Sequence, residues 1–296
     1  MHGRLTALSL VLALGCGAKT GLLVPDAGLP FDAGMDAGFD AGIDAPMCMP
    51  QPVELRRRGA QVMFVLDRSQ SMDDTMEGDR REPGDARPSR WDVMADTFDA
   101  VLGGADPLLE IGAKIYPDAP DGFTTPEEAC NVERGVNIAP APGRAQRVVD
   151  LIRGTTPMGG TPTGAALDEV ERFFSVRPAP GVPRFVILAT DGGPNCRPDP
   201  DVPHTSCLCT GRPEQCSSSP IWGPFNCIDE RRTLEVIGRL APSMPVYVIG
   251  IDDPTRPDLA DVLDRMAIPG GGPPRPPPRA RVLAAGDAPQ PGAGHP

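Results

Sequence analysis

The sequence predicts an α/β fold, a doubly wound and mostly parallel sheet with helices on both faces. Three apolar runs, at residues 62–66, 183–190 and 246–251, have the length expected of strands that are buried on both sides. The segments between them carry apolar residues with the 3.6-residue period of amphipathic helices. Strands that alternate with helices are typical of a parallel sheet covered by helices on both faces.

The other elements follow from the same two patterns. Two further strands are predicted, at residues 109–116 and, shorter, at 136–138. Helices are predicted at residues 91–102, where Met94, Phe98, Val101 and Leu102 share a face, and at 143–152, 162–174 and 229–240. Residues 255–258 resemble a capping box that opens a last helix. Together these elements predict one domain at residues 58–268. It contains an insertion at 192–228 that carries five cysteines and is expected to be rich in disulfides.

The first residues have the pattern of an export signal. Residues 1–15 combine a short n-region with a run of ten apolar residues, which is too short for a stable membrane-spanning helix. The segment resembles a bacterial lipoprotein signal peptide, which implies that Cys16 is acylated. Ordinary signal-peptidase cleavage is the alternative. We therefore expect an exported lipoprotein of the cell envelope, and Gly17 after Cys16 resembles the pattern of outer-membrane sorting if the cell has two membranes.

Both ends of the chain are of low complexity. Asp-Ala-Gly recurs within residues 16–57, beginning at positions 26, 32, 36 and 40, and shows no helical or strand periodicity. We interpret this segment as an acidic tether. Residues 269–296 are rich in proline and glycine and are expected to be an extended tail.

The charge of the chain limits its partners. A formal net charge of −12 argues against nucleic-acid binding and against electrostatic docking on an anionic lipid surface. We expect no nucleic-acid partner, and membrane contact only through a lipid anchor.

An exported domain is expected to form disulfides rather than to keep free thiols. The candidates are the six domain cysteines, namely Cys130, Cys196, Cys207, Cys209, Cys216 and Cys227. They allow fifteen pairings, although Cys207 and Cys209 are too close in sequence to bond each other, and Cys130 is a candidate tie between the insertion and the loop after the second strand. A zinc site could be drawn from His204 and the neighbouring cysteines, but two Cys-x-x-Cys halves are missing.

Polar side chains follow the two predicted strands with the strongest buried pattern, those at 62–66 and 183–190. Asp67, Ser69 and Ser71 stand at alternate positions after the first, and Asp191 directly follows the other. If the two strands are neighbours, both carboxylates face one crevice at the carboxyl edge of the sheet. The loop at 159–164 adds the hydroxyl of Thr161 beside two glycines. These hard oxygen donors suit Mg²⁺ or Mn²⁺.

The ordered segments resemble a von Willebrand factor type A domain with a metal-ion-dependent adhesion site. Asp67, Ser69 and Ser71 match its D-x-S-x-S motif, Thr161 matches the threonine of its second loop, and Asp191 the aspartate of its third. The resemblance implies that these five residues bind a divalent cation, Mg²⁺ foremost with Mn²⁺ or Ca²⁺ as alternatives. It also implies that the cation binds an Asp or Glu side chain of a partner protein, in adhesion or another protein–protein interaction.

The sequence lacks residues that two common enzymatic functions require. Phosphotransfer on an aspartate needs a second Asp where Ser69 stands, and serine hydrolysis lacks both a G-x-S-x-G motif and a nearby base, so we expect no enzymatic activity. An accessory subunit that docks a metal-dependent enzyme, or a structural envelope protein, are the alternatives. The acidic residues at 73–79 could hold a second cation, but Arg80, Arg81, Arg87 and Arg90 indicate a solvated loop.

Overall fold

The computed structural model describes residues 59–105, 107–197 and 201–270. The predicted signal peptide, Cys16, the predicted tether with Cys48, and residues 271–296 of the predicted tail lie outside these residues, so the predictions made for them stay predictions. Within the described residues, no helix is both long enough and apolar enough to cross a membrane.

Five strands form one sheet in the order β3-β2-β1-β4-β5. Their bounds are β1 (Ala60–Asp67), β2 (Leu109–Tyr116), β3 (Ile138–Ala141), β4 (Arg184–Thr190) and β5 (Val246–Gly250). All neighbours pair in parallel except β2 and β3, which are antiparallel. The predicted α/β class is therefore confirmed. Strand β3 begins two residues later than predicted, because the Asn137 side chain accepts the hydrogen bond of Ile115 N–H just before the strand starts.

Helices cover both faces of the sheet. They are α1 (Arg90–Ala105), α2 (Pro126–Ala129), α3 (Ala145–Arg153), α4 (Thr163–Ser175), α5 (Pro213–Ser217), α6 (Glu230–Leu240) and α7 (Pro257–Ala267). The residues of β1 alternate between two cores, so that Phe64 packs with α1 and α3 whereas Val65 packs with α4, α6 and α7. This alternation explains why the whole strand is apolar.

Two local predictions about helices are wrong. Val101 is exposed rather than part of the buried face of α1. The expected capping box at residues 255–258 does not form, because both the N–H and the hydroxyl of Thr255 donate to Asp253 Oδ1 and Arg256 takes the N-cap position of α7. A capping box does open the short helix α2, where Thr125 and Glu128 exchange the two hydrogen bonds.

Three disulfides staple the insertion. Cys207 bonds Cys227 and Cys209 bonds Cys216, while Cys130–Cys196 joins the insertion to the segment after β2. The prediction of disulfides, including the tie to Cys130, is confirmed. The sulfur atoms of Cys207, Cys216 and Cys227 cluster within 4.8 Å of one another, but all three are oxidised in disulfides, so they offer no thiolate to a zinc ion.

Candidate metal site

The two strands that carry the predicted carboxylates are neighbours. Strand β1 pairs with β4 up to Leu66 and Ala189, so Asp67 at the end of β1 and Asp191 just past β4 lie at the same carboxyl edge of the sheet. Helical connections leave these two central strands toward opposite sides, which makes this edge a topological switch point. Ligands of doubly wound sheets bind at such a point.

Asp67 lies beneath the surface and is fully buried. Its Oδ1 accepts a hydrogen bond from Ser69 N–H over 2.8 Å, and its Oδ2 accepts one from Thr190 Oγ1 over 2.6 Å. Burial, followed by repulsion from the Asp191 carboxylate, nevertheless raises the pKa of Asp67 to about 7. The charge on this carboxylate is therefore under-compensated by the protein.

Two serine hydroxyls join the first loop to Asp191. Ser69 Oγ and Ser71 Oγ are 3.2 Å apart, and Ser71 Oγ donates to Asp191 Oδ1 over 3.0 Å. Asp191 is itself buried, and the loss of water raises its pKa even though a nearby arginine opposes the shift. Four of the five predicted ligands are thus linked by hydrogen bonds, in the order Asp67, Ser69, Ser71 and Asp191.

The nearby arginine is Arg90, the first residue of α1. Only 1% of its side chain is exposed, so its assignment to a solvated loop is wrong. Its Nη1 lies 2.6 Å from Asp191 Oδ2, and its Nη2 lies 2.8 Å from Asp253 Oδ2, a contact that has the distance of an ion pair without good hydrogen-bond geometry. Its Nε donates to the carbonyl of Thr75. Arg90 therefore connects the loops that follow β1, β4 and β5.

The ionisation of this network leaves an excess of negative charge. Burial alone lowers the pKa of Arg90, but the carboxylates of Asp191 and Asp253 outweigh it, and the pKa of Arg90 lies above its ordinary value. Arg90 is thus a permanent cation that contacts two carboxylates, those of Asp191 and Asp253, while the buried Asp67 carboxylate has neutral hydrogen-bond partners. Half-buried Asp74 adds a fourth acid nearby, and desolvation raises its pKa to about 6. One further cation would be stabilised here.

Thr161 lies on a loop whose backbone packs against the carbonyl of Ala129. Gly159 has a φ of +83°, and a Cβ on it would lie 2.5 Å from the carbonyl oxygen of Ala129. The carbonyl of Gly159 accepts the N–H of Gln70, which ties this loop to the D-x-S-x-S segment. Only glycine fits this close backbone approach, as the paired glycines of the sequence indicate.

Asn195 connects the Thr161 loop to the insertion. Its Oδ1 accepts the N–H of Thr161 over 2.7 Å, and its own N–H donates to the carbonyl of Thr161. Its Nδ2 donates to Thr210 Oγ1 over 2.7 Å. The adjacent disulfide, Cys130–Cys196, packs against Gly160, where a Cβ would lie 2.5 Å from Cys196 Sγ. Hydrogen bonds and disulfide packing therefore connect the insertion to the loop of the candidate ligand Thr161.

The candidate ligands open onto a cleft of about 1500 Å³. Ser69, Ser71, Thr161 and Asp191 line it together with much of the insertion. The rings of Phe123 and Trp222, whose centroids are 6.2 Å apart, also belong to the lining. The insertion therefore lies beside the candidate ligands.

The donor set fits a hard cation. Three neutral hydroxyls and two carboxylates offer oxygen atoms only, and the under-compensated charge of Asp67 favours added positive charge. Mg²⁺ would be held by Ser69, Ser71 and Thr161, with Asp67 and Asp191 beside them directly or through water. In that arrangement the positive charge is only partly balanced by the protein.

Sequence reasoning missed four residues of this site, namely Arg90, Thr190, Asn195 and Asp253. A usable signal existed for Asp253, because it follows the apolar strand at 246–251 just as Asp67 and Asp191 follow theirs. Thr190 precedes Asp191 directly and ends its strand. Nothing in the sequence around Arg90 or Asn195 distinguishes them from ordinary loop residues.

Comparisons with known proteins give only distant similarities. No family model matches the sequence, and no curated protein matches it. Among solved structures, the PilB minor pilin from Streptococcus sanguinis is 17% identical with a TM-score of 0.48, covering 75% of this chain and 57% of the pilin. The manganese-loaded TRAP protein of Plasmodium vivax is 16% identical with a TM-score of 0.40, covering 75% of this chain and 66% of that protein. The SpRpn10 VWA domain is 12% identical with a TM-score of 0.41, covering 71% of this chain and 82% of that domain.

This chain therefore spans less than two thirds of the length of the pilin and of the TRAP protein. Similarities this weak assign no function to the chain. Its fold class rests on its own strand order, and its function has to be argued from the site.

Proposed function

We propose that this domain binds a divalent cation, Mg²⁺ foremost, through Asp67, Ser69, Ser71, Thr161 and Asp191, and that the cation binds an acidic side chain of a partner protein. One observation carries the proposal. Two buried carboxylates lie at the ends of adjoining strands with serine hydroxyls between them, and their pKa values are raised because burial removes water from both.

The hydroxyl and carboxylate side chains have different roles in the proposed cation binding. Ser69, Ser71 and Thr161 provide neutral oxygen atoms, which hold a cation without cancelling its charge. Asp67 provides negative charge from beneath, and Thr190 and the Ser69 amide fix its two oxygen atoms. A cation held by these residues would supply Lewis acidity to the cleft, where a carboxylate of a partner could bind it.

The same reasoning supports a binding protein rather than an enzyme. Ser69 and Ser71 contact each other and Asp191, and the pocket residue His204 is part of the insertion rather than a hydrogen-bonded base for either serine. Without an activated nucleophile, the site is suited to recognition. The three disulfides fit an oxidising compartment, and we propose that Cys16 anchors the exported chain to a cell-envelope membrane by acylation.

Isothermal titration of the purified protein with Mg²⁺ and Mn²⁺ tests the central proposal. We expect one site per chain, and we expect Ser71→Ala to weaken it at least about tenfold, since one ligand and its contact to Asp191 are lost. Ser175→Ala is the matched control, because the Ser175 hydroxyl is exposed and donates only to Arg172 O at the end of α4. Absence of binding by the wild-type protein would overturn the proposal.

The partner is tested separately. The wild-type chain is expected to capture a protein from the native cell envelope. Loss of this capture in EDTA and in the Ser71→Ala variant supports recognition through the cation. If the captured protein is itself a metal-dependent enzyme, this chain is an accessory subunit. Capture that persists unchanged in EDTA contradicts a bridging cation.

A further inference from the structure

A buried arginine beside a cation site requires an explanation. Arg90 is almost completely enclosed, and its guanidinium contacts the carboxylates of Asp191 and Asp253 and the carbonyl of Thr75. Buried ion pairs commonly add no stability over a well-packed apolar substitute, because both charges lose their water. Packing alone therefore gives no reason for a charged residue at the start of α1.

The contacts of Asp191 indicate what the charge does. Its Oδ2 lies 2.6 Å from Arg90 Nη1, and its Oδ1 accepts the Ser71 hydroxyl. Both oxygen atoms are thus engaged, and the carboxylate already has a full positive charge beside it. Asp67 differs, because its partners are the neutral Ser69 amide and the Thr190 hydroxyl.

We infer that Arg90 is a built-in counter-charge that weakens cation binding at this site and keeps a bound cation short of negative charge. The inference rests on the proposed function and deepens it. With Asp191 paired to Arg90, Asp67 is the one predicted carboxylate ligand left to balance two positive charges. The cation therefore retains a net positive charge, and that charge favours the carboxylate of a partner over a neutral group.

Arg90→Gln tests this directly in the full chain, with Mn²⁺ as the probe and free Mn²⁺ counted by electron paramagnetic resonance. Removal of a positive charge next to the site is expected to tighten Mn²⁺ binding at least about tenfold. The melting temperature of the metal-free variant should fall at the same time, since Asp191 and Asp253 lose their partner. A residue with only a structural role would weaken binding and stability together, or leave binding unchanged.

Three further variants make the result specific. Arg90→Lys keeps the charge and should bind Mn²⁺ within a few-fold of the wild-type protein. Arg87→Gln is the matched control, because Arg87 pairs with Asp79 and Asp85 at the exposed surface of the same segment. If Arg90→Gln does not fold, the double variant Arg90→Gln/Asp253→Asn removes the second unpaired carboxylate, and we expect it too to bind more tightly.

The outcomes separate this inference from the proposed function. If the wild-type protein binds Mn²⁺ and the Arg90→Gln and double variants bind it equally or more weakly, the role of Arg90 is overturned. The proposed cation site is then still supported. Binding by either variant alone supports the role of Arg90 and overturns cation binding by the natural protein. If none of the proteins binds Mn²⁺, both ideas are wrong.

Discussion

Asn195 and Thr161 exchange two hydrogen bonds, from the Thr161 amide to Asn195 Oδ1 over 2.7 Å and from the Asn195 amide to the Thr161 carbonyl over 2.9 Å. The pair joins the loop of a candidate ligand to the disulfide-rich insertion, because Asn195 also donates to Thr210. The position of the Thr161 hydroxyl therefore depends on residues far from it in sequence.

Replacement of this link should disturb the site. Asn195→Ala leaves the buried Thr161 amide without its acceptor, which should lower the free energy of unfolding by about 1–3 kcal/mol. We also expect weaker Mg²⁺ binding in isothermal titration, since Thr161 is no longer held in place. Asn131→Ala is the control, because the exposed Asn131 side chain donates only to Asp118 O. Equal Mg²⁺ affinity in Asn195→Ala and wild type would contradict the positioning role.

The disulfides are expected to differ in their effect on the site. Cys130–Cys196 packs against Gly160 in the Thr161 loop, whereas Cys209–Cys216 closes a short loop within the insertion. The Cys130→Ser/Cys196→Ser variant should lose about 2–4 kcal/mol of unfolding free energy and also bind Mg²⁺ more weakly.

The paired control is the Cys209→Ser/Cys216→Ser variant, in which the tie to Gly160 is intact. Chemical unfolding and Mg²⁺ titration of both variants provide the comparison. If the control loses as much Mg²⁺ affinity as the Cys130→Ser/Cys196→Ser variant, the first disulfide has no special role at the site.

The architecture could be predicted because its signals are local. A strand buried on both faces needs a continuous apolar run, and β1 and β4 show this within eight residues. The aspartates that follow them then mark the carboxyl edge of the sheet. Once β1 and β4 pair, Asp67 and Asp191 have to meet, so two widely separated residues were predictable as neighbours.

The charge balance of the site could not be predicted in the same way. Arg90 follows a segment rich in acids and arginines, and such a segment indicates a solvated surface. Its burial depends on Asp191, 101 positions away, and on Asp253 after the last strand. Long-range ion pairs of this kind leave no periodic pattern, and the same holds for Asn195.

Asp67 should make the metal-free protein less stable as pH rises. Its pKa is about 7 in the folded chain against 3.8 for the ordinary side chain, so between these values the folded state binds more protons than the unfolded state. The free energy of unfolding then falls as pH rises from about 4 to about 7, by up to about 1.4 kcal/mol per pH unit from this group. Urea unfolding in EDTA at pH 5 and pH 7 measures the fall.

Two controls isolate the contribution of Asp67. Asp67→Asn should show a smaller fall than the wild-type protein, because the titrating group is gone while Asp74 and Asp191 remain. Saturating Mg²⁺ at pH 7 should restore stability to the wild-type protein only, since the cation compensates the charged carboxylate. Identical pH dependence in the two proteins would contradict the assignment.

Gly160 leaves no room for a side chain beside the site. A Cβ at this position would lie 2.5 Å from Cys196 Sγ, which is closer than real contacts allow, and 3.0 Å from Asn195 Oδ1, which is a tight contact. Gly160→Ala should therefore lower the free energy of unfolding by about 1–3 kcal/mol and weaken Mg²⁺ binding, because the loop that carries Thr161 has to move. Gly238→Ala is the matched control, since Gly238 lies within α6 with no atom within 4 Å of a Cβ. Alanine there should raise stability by up to about 1 kcal/mol and leave Mg²⁺ binding unchanged. An equal response of the two variants would show that the Thr161 loop accommodates the added Cβ without loss of stability.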